Sequence, residues 1–259
     1  MGYVFEYKIA RKYDTWYQNP DNRFVADLED QLLLRLLQPA QGERVLDIGC
    51  GTGRHLEMFL KMGLDVTGLD PSPHMLGIAA EKLGHRAELH QGVAEDLPFE
   101  DNSFDIATLV TSLEFVDDAH KALEEACRVA ESRIFLGVLN RYAIKGIERR
   151  LRGIFSESVY NRARFFSVWQ AKRHVMQILG KIPLKWGTVL HLPIGLRKYT
   201  QRLEEWPFVQ KCPFGCFIGM VVTLVPRYQT QNIPIDYVRQ PKGAVTGLMK
   251  TPTQSRGEG

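Results

Sequence analysis

Apolar positions along the chain change period after the first forty residues. Leu28, Leu32, Leu33, Leu36 and Leu37 recur at the spacing of one helix face, and Pro39 and Gly42 end that helix. Short continuous apolar runs then alternate with helical stripes. Val45–Ile48 reads as a strand ending in a glycine cluster, and Leu56, Phe59 and Leu60 follow on one helical face that Gly63 stops. Val66–Leu69 is a second strand, and Pro71-Ser72-Pro73 opens a helix that closes at Gly84. Ala87–His90 is a weak third strand and Phe104–Val110 a stronger fourth. Asp117–Ala130 reads as a helix with an acidic first turn, and Arg133–Leu139 as a fifth strand.

Alternation with short connections implies right-handed crossovers and a mostly parallel α/β sheet. Near-continuous apolar strands imply helices on both faces. Past Asn140 the alternation lapses. Residues 141–180 read as helical and basic, Leu184–Leu190 and Phe217–Val225 as two late strands, and Leu196–Glu205 as a helix between them. The pattern divides the chain into an N-terminal helical lid (1–40), an α/β core (41–140), a basic helical cap (141–182), a completion of the sheet (183–228) and a flexible polar tail (229–259).

Composition narrows this picture only slightly. The 259 residues are 44% hydrophobic and 24% charged, ordinary for one α/β domain with embellishments. A net charge of +3 selects no partner class. Cys50, Cys127, Cys212 and Cys216 form no CxxC pair, so a reducing compartment and no metal site are expected. No apolar run approaches the roughly 20 residues that span a bilayer. The first residues hold no apolar signal core, so the expected location is cytoplasmic.

The strongest chemical signal is Val45-Leu46-Asp47-Ile48-Gly49-Cys50-Gly51-Thr52-Gly53. A strand delivers the chain to a glycine turn and a helix starts at once, which suits a carboxylate or phosphate. A dinucleotide site wants G-x-G-x-x-G, and Arg54 and Leu56 stand where a third glycine is needed. Asp47 would repel a pyrophosphate but attract the ammonium of an amino-acid ligand, which favours S-adenosylmethionine. Asp70, ending the second strand, is placed to accept both ribose hydroxyls of an adenosine.

The run VLDIGCGTGRHLEMFLKMGLDVTGLDPSPHML, continued by GVAEDLPFEDNSFDIATLVTSLEFV, resembles the class I S-adenosylmethionine-dependent methyltransferases. It is most similar to the "methyltransferase type 11" branch, which includes ubiquinone- and menaquinone-biosynthesis enzymes. The resemblance covers roughly residues 10–140. It implies a Rossmann-like, seven-stranded, mostly parallel sheet flanked by helices and carrying a helical cap. The cofactor would be S-adenosylmethionine and its product S-adenosylhomocysteine. Gly49, Cys50, Gly51 and Gly53 would form the loop against the methionine part, with Asp47 holding its amino group through water. Asp70 and Pro71 would flank the ribose, and Met75 and Leu97 the two adenine faces. Where relatives carry an acid for the adenine amino group this chain has Val93, leaving the Ala94 amide and Glu95 as candidates. Thr111 would line the pocket through its backbone. Glu114 is a candidate base or a loop acid. Tyr13-Asp14-Thr15-Trp16-Tyr17 matches a segment that folds over the pocket in relatives. Tyr13 and Tyr17 share a helix face, placed to meet the sulfonium or the acceptor, or to anchor the first helix. Phe115 stands near the place of a histidine common in relatives, and the usual Pro-Gly-Gly turn before the fifth strand is missing.

Methyl transfer from a sulfonium is an in-line displacement that needs a base only when the acceptor must lose a proton. The acceptor is therefore open, and a small-molecule or lipid-like compound is expected. A regulatory or scaffolding protein that binds the cofactor without turnover is the alternative, and an RNA or protein methyltransferase a lesser one. Between residues 141 and 173, Arg141, Lys145, Arg149, Arg150, Arg152, Arg162, Arg164, Lys172 and Arg173 face Glu148 and Glu157 alone. Phe155, Tyr160, Phe165, Phe166 and Trp169 interleave. This segment reads as a contact for an anionic acceptor, acidic protein or anionic membrane surface, or as a solvated basic face. No RNA-binding module is visible.

Overall fold

A computed structural model of the chain describes residues 4–143, 163–191, 204 and 206–224. All lie in the compact unit Met1–Pro226. Helix α1 is Tyr7–Trp16 and α2 is Pro20–Leu37. There follow β1 (Arg44–Ile48), α3 (Arg54–Lys61), β2 (Asp65–Asp70), α4 (Pro73–Leu83), β3 (Glu88–Gln91), β4 (Phe104–Val110), α5 (Ala119–Val129) and β5 (Ala130–Leu139). The later elements are α6 (Val168–Leu179), β6 (Leu184–Val189), α7 (Pro207–Gln210) and β7 (Phe217–Thr223).

The strands form one sheet in the order β3-β2-β1-β4-β5-β7-β6. Neighbours from β3 to β5 run parallel, and β7 is antiparallel to both β5 and β6. The order reverses at β1, whose neighbours are β2 and β4, so the carboxyl ends of these strands open a crevice there. Alternate strand residues feed opposite cores. Val45, Ile106, Phe135 and Phe217 pack with Leu28, Leu32, Leu33 and Leu37 of α2. Leu46, Ala107, Leu136 and Ile218 pack with α5 and α6. α2 lies close to the sheet because Gly219 pairs with Gly137 on one side and Gly187 on the other. A Cβ at Gly187 or Gly219 would come within 3.0 Å or 2.9 Å of Leu32.

Local chemistry sets the element ends. Ser72 caps α4 by accepting from the Met75 amide at 3.3 Å, with Pro73 in the first turn. Asp118 caps α5 through the amides of His120 and Lys121, so that helix begins at Ala119, two residues later than the pattern suggested. β5 begins at Ala130, directly after Val129, which is why no Pro-Gly-Gly turn is needed. α2 ends at Gln38 in a left-handed conformation, ahead of Pro39. The expected helical stretch 141–180 is helical only in part among its described residues. Arg141–Ala143 is a single 3₁₀ turn, and Phe166 forms a parallel bridge to Asn140 before the capping box of Ser167 and Gln170 starts α6. Residues 163–167 are held out of a helix because the Phe166 amide donates to Leu139 and its carbonyl accepts from Arg141. Most of the basic cap (144–162), nearly all of the predicted helix Leu196–Glu205, and the tail 229–259 lie outside the described residues. Among the described residues no helix is long and apolar enough to cross a membrane.

Leu32 is fully buried against the glycine strip. Leu32→Ala should cost about 2–5 kcal/mol of folding stability through lost transfer energy and a cavity, read as a lowered midpoint in urea unfolding with an unchanged slope.

Candidate functional site

β1 runs straight into the glycine loop. The amides of Gly49 and Cys50 both donate to the Leu69 carbonyl, at 2.7 and 3.0 Å, and lock the loop to the end of β2. The loop glycines differ in role. Gly53 has a φ of 76°, and a Cβ there would meet Leu83 at 2.9 Å and Ala79 at 3.1 Å, so it lets α3 pack on α4. Gly51 has a φ of 54°, and a Cβ there would meet nothing within 4 Å, because it opens onto a cavity.

Asp70 stands across that opening. One carboxylate oxygen accepts from the Gly51 amide at 2.9 Å and the other from the Ser72 amide at 2.8 Å. Burial pushes the Asp70 carboxyl up to about 6, against the pull of those two amides. Ser72 Oγ also donates to the Phe5 carbonyl at 2.6 Å. The Phe5 ring meets Phe115 edge-on at 5.2 Å, so the segment before α1 is tied down beside Asp70.

The cavity runs along the strand ends. Gly49 to Thr52, Asp70, Pro71 and Met75 form one wall. Val93, Ala94 and Glu95 form another, and Val110, Thr111 and Ser112 the floor after β4. Thr111 takes a left-handed φ of 51° while its amide donates to the Gly137 carbonyl. Phe5, Tyr13, Trp16 and Tyr17 come from the N-terminal segment. Glu29 of α2, Arg54 and His55 of α3, Leu69 of β2, Leu139 of β5, Phe115 and Val116 complete the lining. From β2 to β5 is three strand spacings, about 14 Å at ~4.8 Å each, so Asp70 and Leu139 mark opposite ends.

Of the residues singled out from sequence, Gly49, Cys50, Gly51, Asp70, Pro71, Met75, Ala94, Glu95, Thr111, Tyr13 and Tyr17 all line this cavity. Asp47, Gly53, Leu97 and Glu114 stand behind its walls. Asp47 is 1% exposed, accepts from Thr108 Oγ1 at 2.6 Å, and has its second oxygen buried with no hydrogen-bond partner. Burial raises its pKa, opposed by His55, whose Nδ1 lies 4.0 Å from that second oxygen. The Leu97 side chain is in the core and its amide donates to Glu125. Glu95 reaches the cavity, but its carboxylate also accepts from the Asp117 and Asp118 amides at 2.8 and 3.3 Å. Glu114 is 1% exposed and accepts from the Leu139 amide at 2.6 Å. Burial pushes its carboxyl up to about 8.

Sequence reasoning passed over Glu29, Arg54, His55 and Thr52 as lining residues. Arg54 pairs with Asp30 and lies 4.8 Å over the Tyr17 ring, whose hydroxyl donates to Tyr13 at 2.8 Å. Burial holds the Tyr17 hydroxyl well above its ordinary pKa. Arg54 carries donors only, so His55 Nε2, 3.0 Å away, is the acceptor in that contact. Glu29 is an acid on an otherwise apolar stripe of α2, a signal present in the sequence.

The family described as "Methyltransferase domain" matches residues 46–134. The uncharacterized protein MJ1123 of Methanocaldococcus jannaschii is 33% identical over 188 residues, 70% of this chain and 81% of that protein. The chain belongs to the class I S-adenosylmethionine-dependent methyltransferases. A ubiquinone biosynthesis O-methyltransferase of Azorhizobium caulinodans is 35% identical over 129 residues, 46% of this chain but only 51% of that enzyme. The crystal structure of a methyltransferase of Thermotoga maritima, described as a possible histamine N-methyltransferase, has a TM-score of 0.64 at 27% identity, covering 84% of this chain and 96% of that one. S-adenosylmethionine is the cofactor of this methyltransferase fold, and the expected seven-stranded, mostly parallel architecture is the one observed.

The buried Glu114 gives this methyltransferase a pH signature. A carboxyl raised in the folded state from 4.5 to about 8 favours folding fully below its unfolded pKa, and that contribution is lost as pH rises through about 8. The melting temperature should therefore fall between pH 5 and pH 8 and flatten above. Glu114→Gln should flatten that slope between about pH 6 and pH 8 in a pH series of thermal melts, leaving at lower pH the part that Asp70 and Asp47 contribute.

Proposed function

We propose that the chain transfers a methyl group from S-adenosylmethionine to a small-molecule acceptor, both held in the one cavity described above. The observation that supports this most is continuity: Asp70 and the rings of Tyr13, Trp16 and Tyr17 line one and the same cavity. A cavity of this kind suits a small acceptor better than a reaction on an exposed surface. The Azorhizobium relative, named for quinone biosynthesis, supports a small acceptor in the same sense.

The residues fit an adenosyl amino acid. Each Asp70 oxygen accepts one backbone bond and keeps a second lone pair for a ribose hydroxyl. The Thr52 and Ser112 hydroxyl oxygens are buried, line the cavity and have no partner, so the amino-acid half would supply the bonds they lack. Gly51 leaves open the space that half needs. Met75, 2% exposed, would pack on the adenine. When bound, the cofactor supplies a methyl group already activated by its sulfonium charge. The chain's own part is alignment and water exclusion. Phe5, tied to Ser72, and the rings of Tyr13, Trp16 and Tyr17 close the space.

Asp70→Ala should weaken S-adenosylhomocysteine binding tenfold or more, since hydrogen bonds to a charged group are worth about 1.5–3 kcal/mol each. For the wild type, ligand hydroxyls favour the ionised carboxylate, so affinity should be full above about pH 6 and fall below it. Isothermal titration from pH 5 to pH 8 checks both, and a flat profile would count against the assignment of Asp70.

Turnover is read by incubating the protein with methyl-labelled S-adenosylmethionine and a panel of small phenols and amines. Label should enter a small product with the wild type and not with Gly51→Val, whose side chain would fill the space beside Asp70. Label transferred equally by both proteins would refute the site.

A further inference from the structure

We propose that an exposed aromatic corner beside the strand ends is a docking surface for an anionic lipid membrane. It does not depend on the methyl-transfer reading.

Asn140, the residue after β5, builds this corner. It is fully buried, and its side-chain amide donates to the carbonyls of Pro213 and Gly215 at 2.7 and 2.8 Å. Its side-chain oxygen accepts from the Tyr142 amide at 3.1 Å. One side chain therefore fixes the two loops that carry Tyr142 and Phe214. Asn140 also forms the backbone bridge to Phe166, just before the Ser167 cap of α6, and Trp169 stands in the first turn of that helix. The three rings meet edge-on, Tyr142 at 6.0 Å from Trp169 and 6.1 Å from Phe214.

Each of these rings is nonetheless more than half exposed. Trp206 and Phe208, at the start of α7, are more exposed still, Phe208 at 88%. Thr188, near the end of β6, lies within hydrogen-bond distance of the Gln210 and Cys212 carbonyls, so α7 sits at the same end of the sheet. Rings held this firmly in water are not side chains left over from packing. Clustered apolar exposure marks an interaction surface. Leu139, which lines the cavity, directly precedes Asn140, so a partner docked here lies at the end of the sheet where the cavity is.

Charge names the partner. The stretch 141–173 has nine basic residues and two acidic ones, and its described residues include no acid. Arg164 is turned to the start of α5, where it donates to the Asp117 carbonyl. Arg141, beside Tyr142, and Arg173, one helical turn beyond Trp169, are exposed. Tyrosine and tryptophan rings seat among lipid headgroups, and nearby cations are drawn to an anionic leaflet. A second copy would set like charge against like in a two-fold contact. The rings stand at 77° and 69° to Tyr142, so they offer no common face on which bases could stack. Among the described residues no helix is long and apolar enough to cross a membrane, so the contact proposed is peripheral.

The test sediments the full chain with vesicles of phosphatidylcholine, alone or with phosphatidylglycerol. Binding should be about tenfold stronger or more on the anionic vesicles and should fall as salt rises. Tyr142→Ser, Trp169→Ser and Phe214→Ser together keep every charge and should weaken that binding about tenfold. Circular dichroism shows whether this variant is folded. If it is not, brominated lipids decide, because they quench tryptophan at the membrane. Wild-type emission should fall on anionic brominated vesicles, and fall less in Trp169→Phe. Equal binding to both vesicle types, no binding to either, full binding by the folded triple variant, or quenching unchanged by Trp169→Phe would each overturn the proposal. So would binding of a single-stranded oligonucleotide that the triple variant loses, or a dimer of the free chain that it dissociates.

Discussion

The site hangs on the way the end of β2 holds the loop after β1. Two loop amides, from Gly49 and Cys50, share the Leu69 carbonyl, and a third, from Gly51, is taken by the Asp70 carboxylate. These bonds satisfy backbone donors that a glycine-rich turn would otherwise leave bare. They also pull two strand ends to the separation at which a ligand can touch both. Asp70 contributes twice, since its other oxygen takes the Ser72 amide, and Ser72 in turn caps α4 and holds Phe5. One carboxylate therefore connects the loop, the helix after β2 and the segment that covers the cavity. The cost is a carboxylate at 5% exposure whose pKa has risen to about 6.

Much of this was legible in the sequence, and for identifiable reasons. Strands β1, β2 and β4 are buried on both faces and read as continuous apolar runs, so their positions were found to within a residue. The loop glycines and Asp70 were legible because turn geometry and the ribose each need a particular residue type. The depth of a side chain was not legible. Asp47 and Glu114 are acids next to pocket-lining segments in sequence, yet each is turned into the wall by a hydrogen bond that it accepts, from Thr108 and from Leu139. Nor could periodicity find residues that reach the cavity from elements remote in the chain. Glu29 comes from α2, which lies close to the sheet where Gly187 and Gly219 leave room for Leu32. The extended course of residues 163–167 depends likewise on backbone pairing with Leu139 and Arg141, invisible in a basic, aromatic run.

Charge has to be read region by region, because a net value merges groups in different settings. The stretch 141–173 is basic in sequence and invites an anionic partner. The cavity lining carries acidic and basic side chains together, Glu29, Asp70 and Glu95 with Arg54 and His55. Charge in water is screened by salt within about 8–10 Å, whereas charge in a cavity acts at lower effective dielectric. The lining groups therefore bear most directly on what enters the cavity.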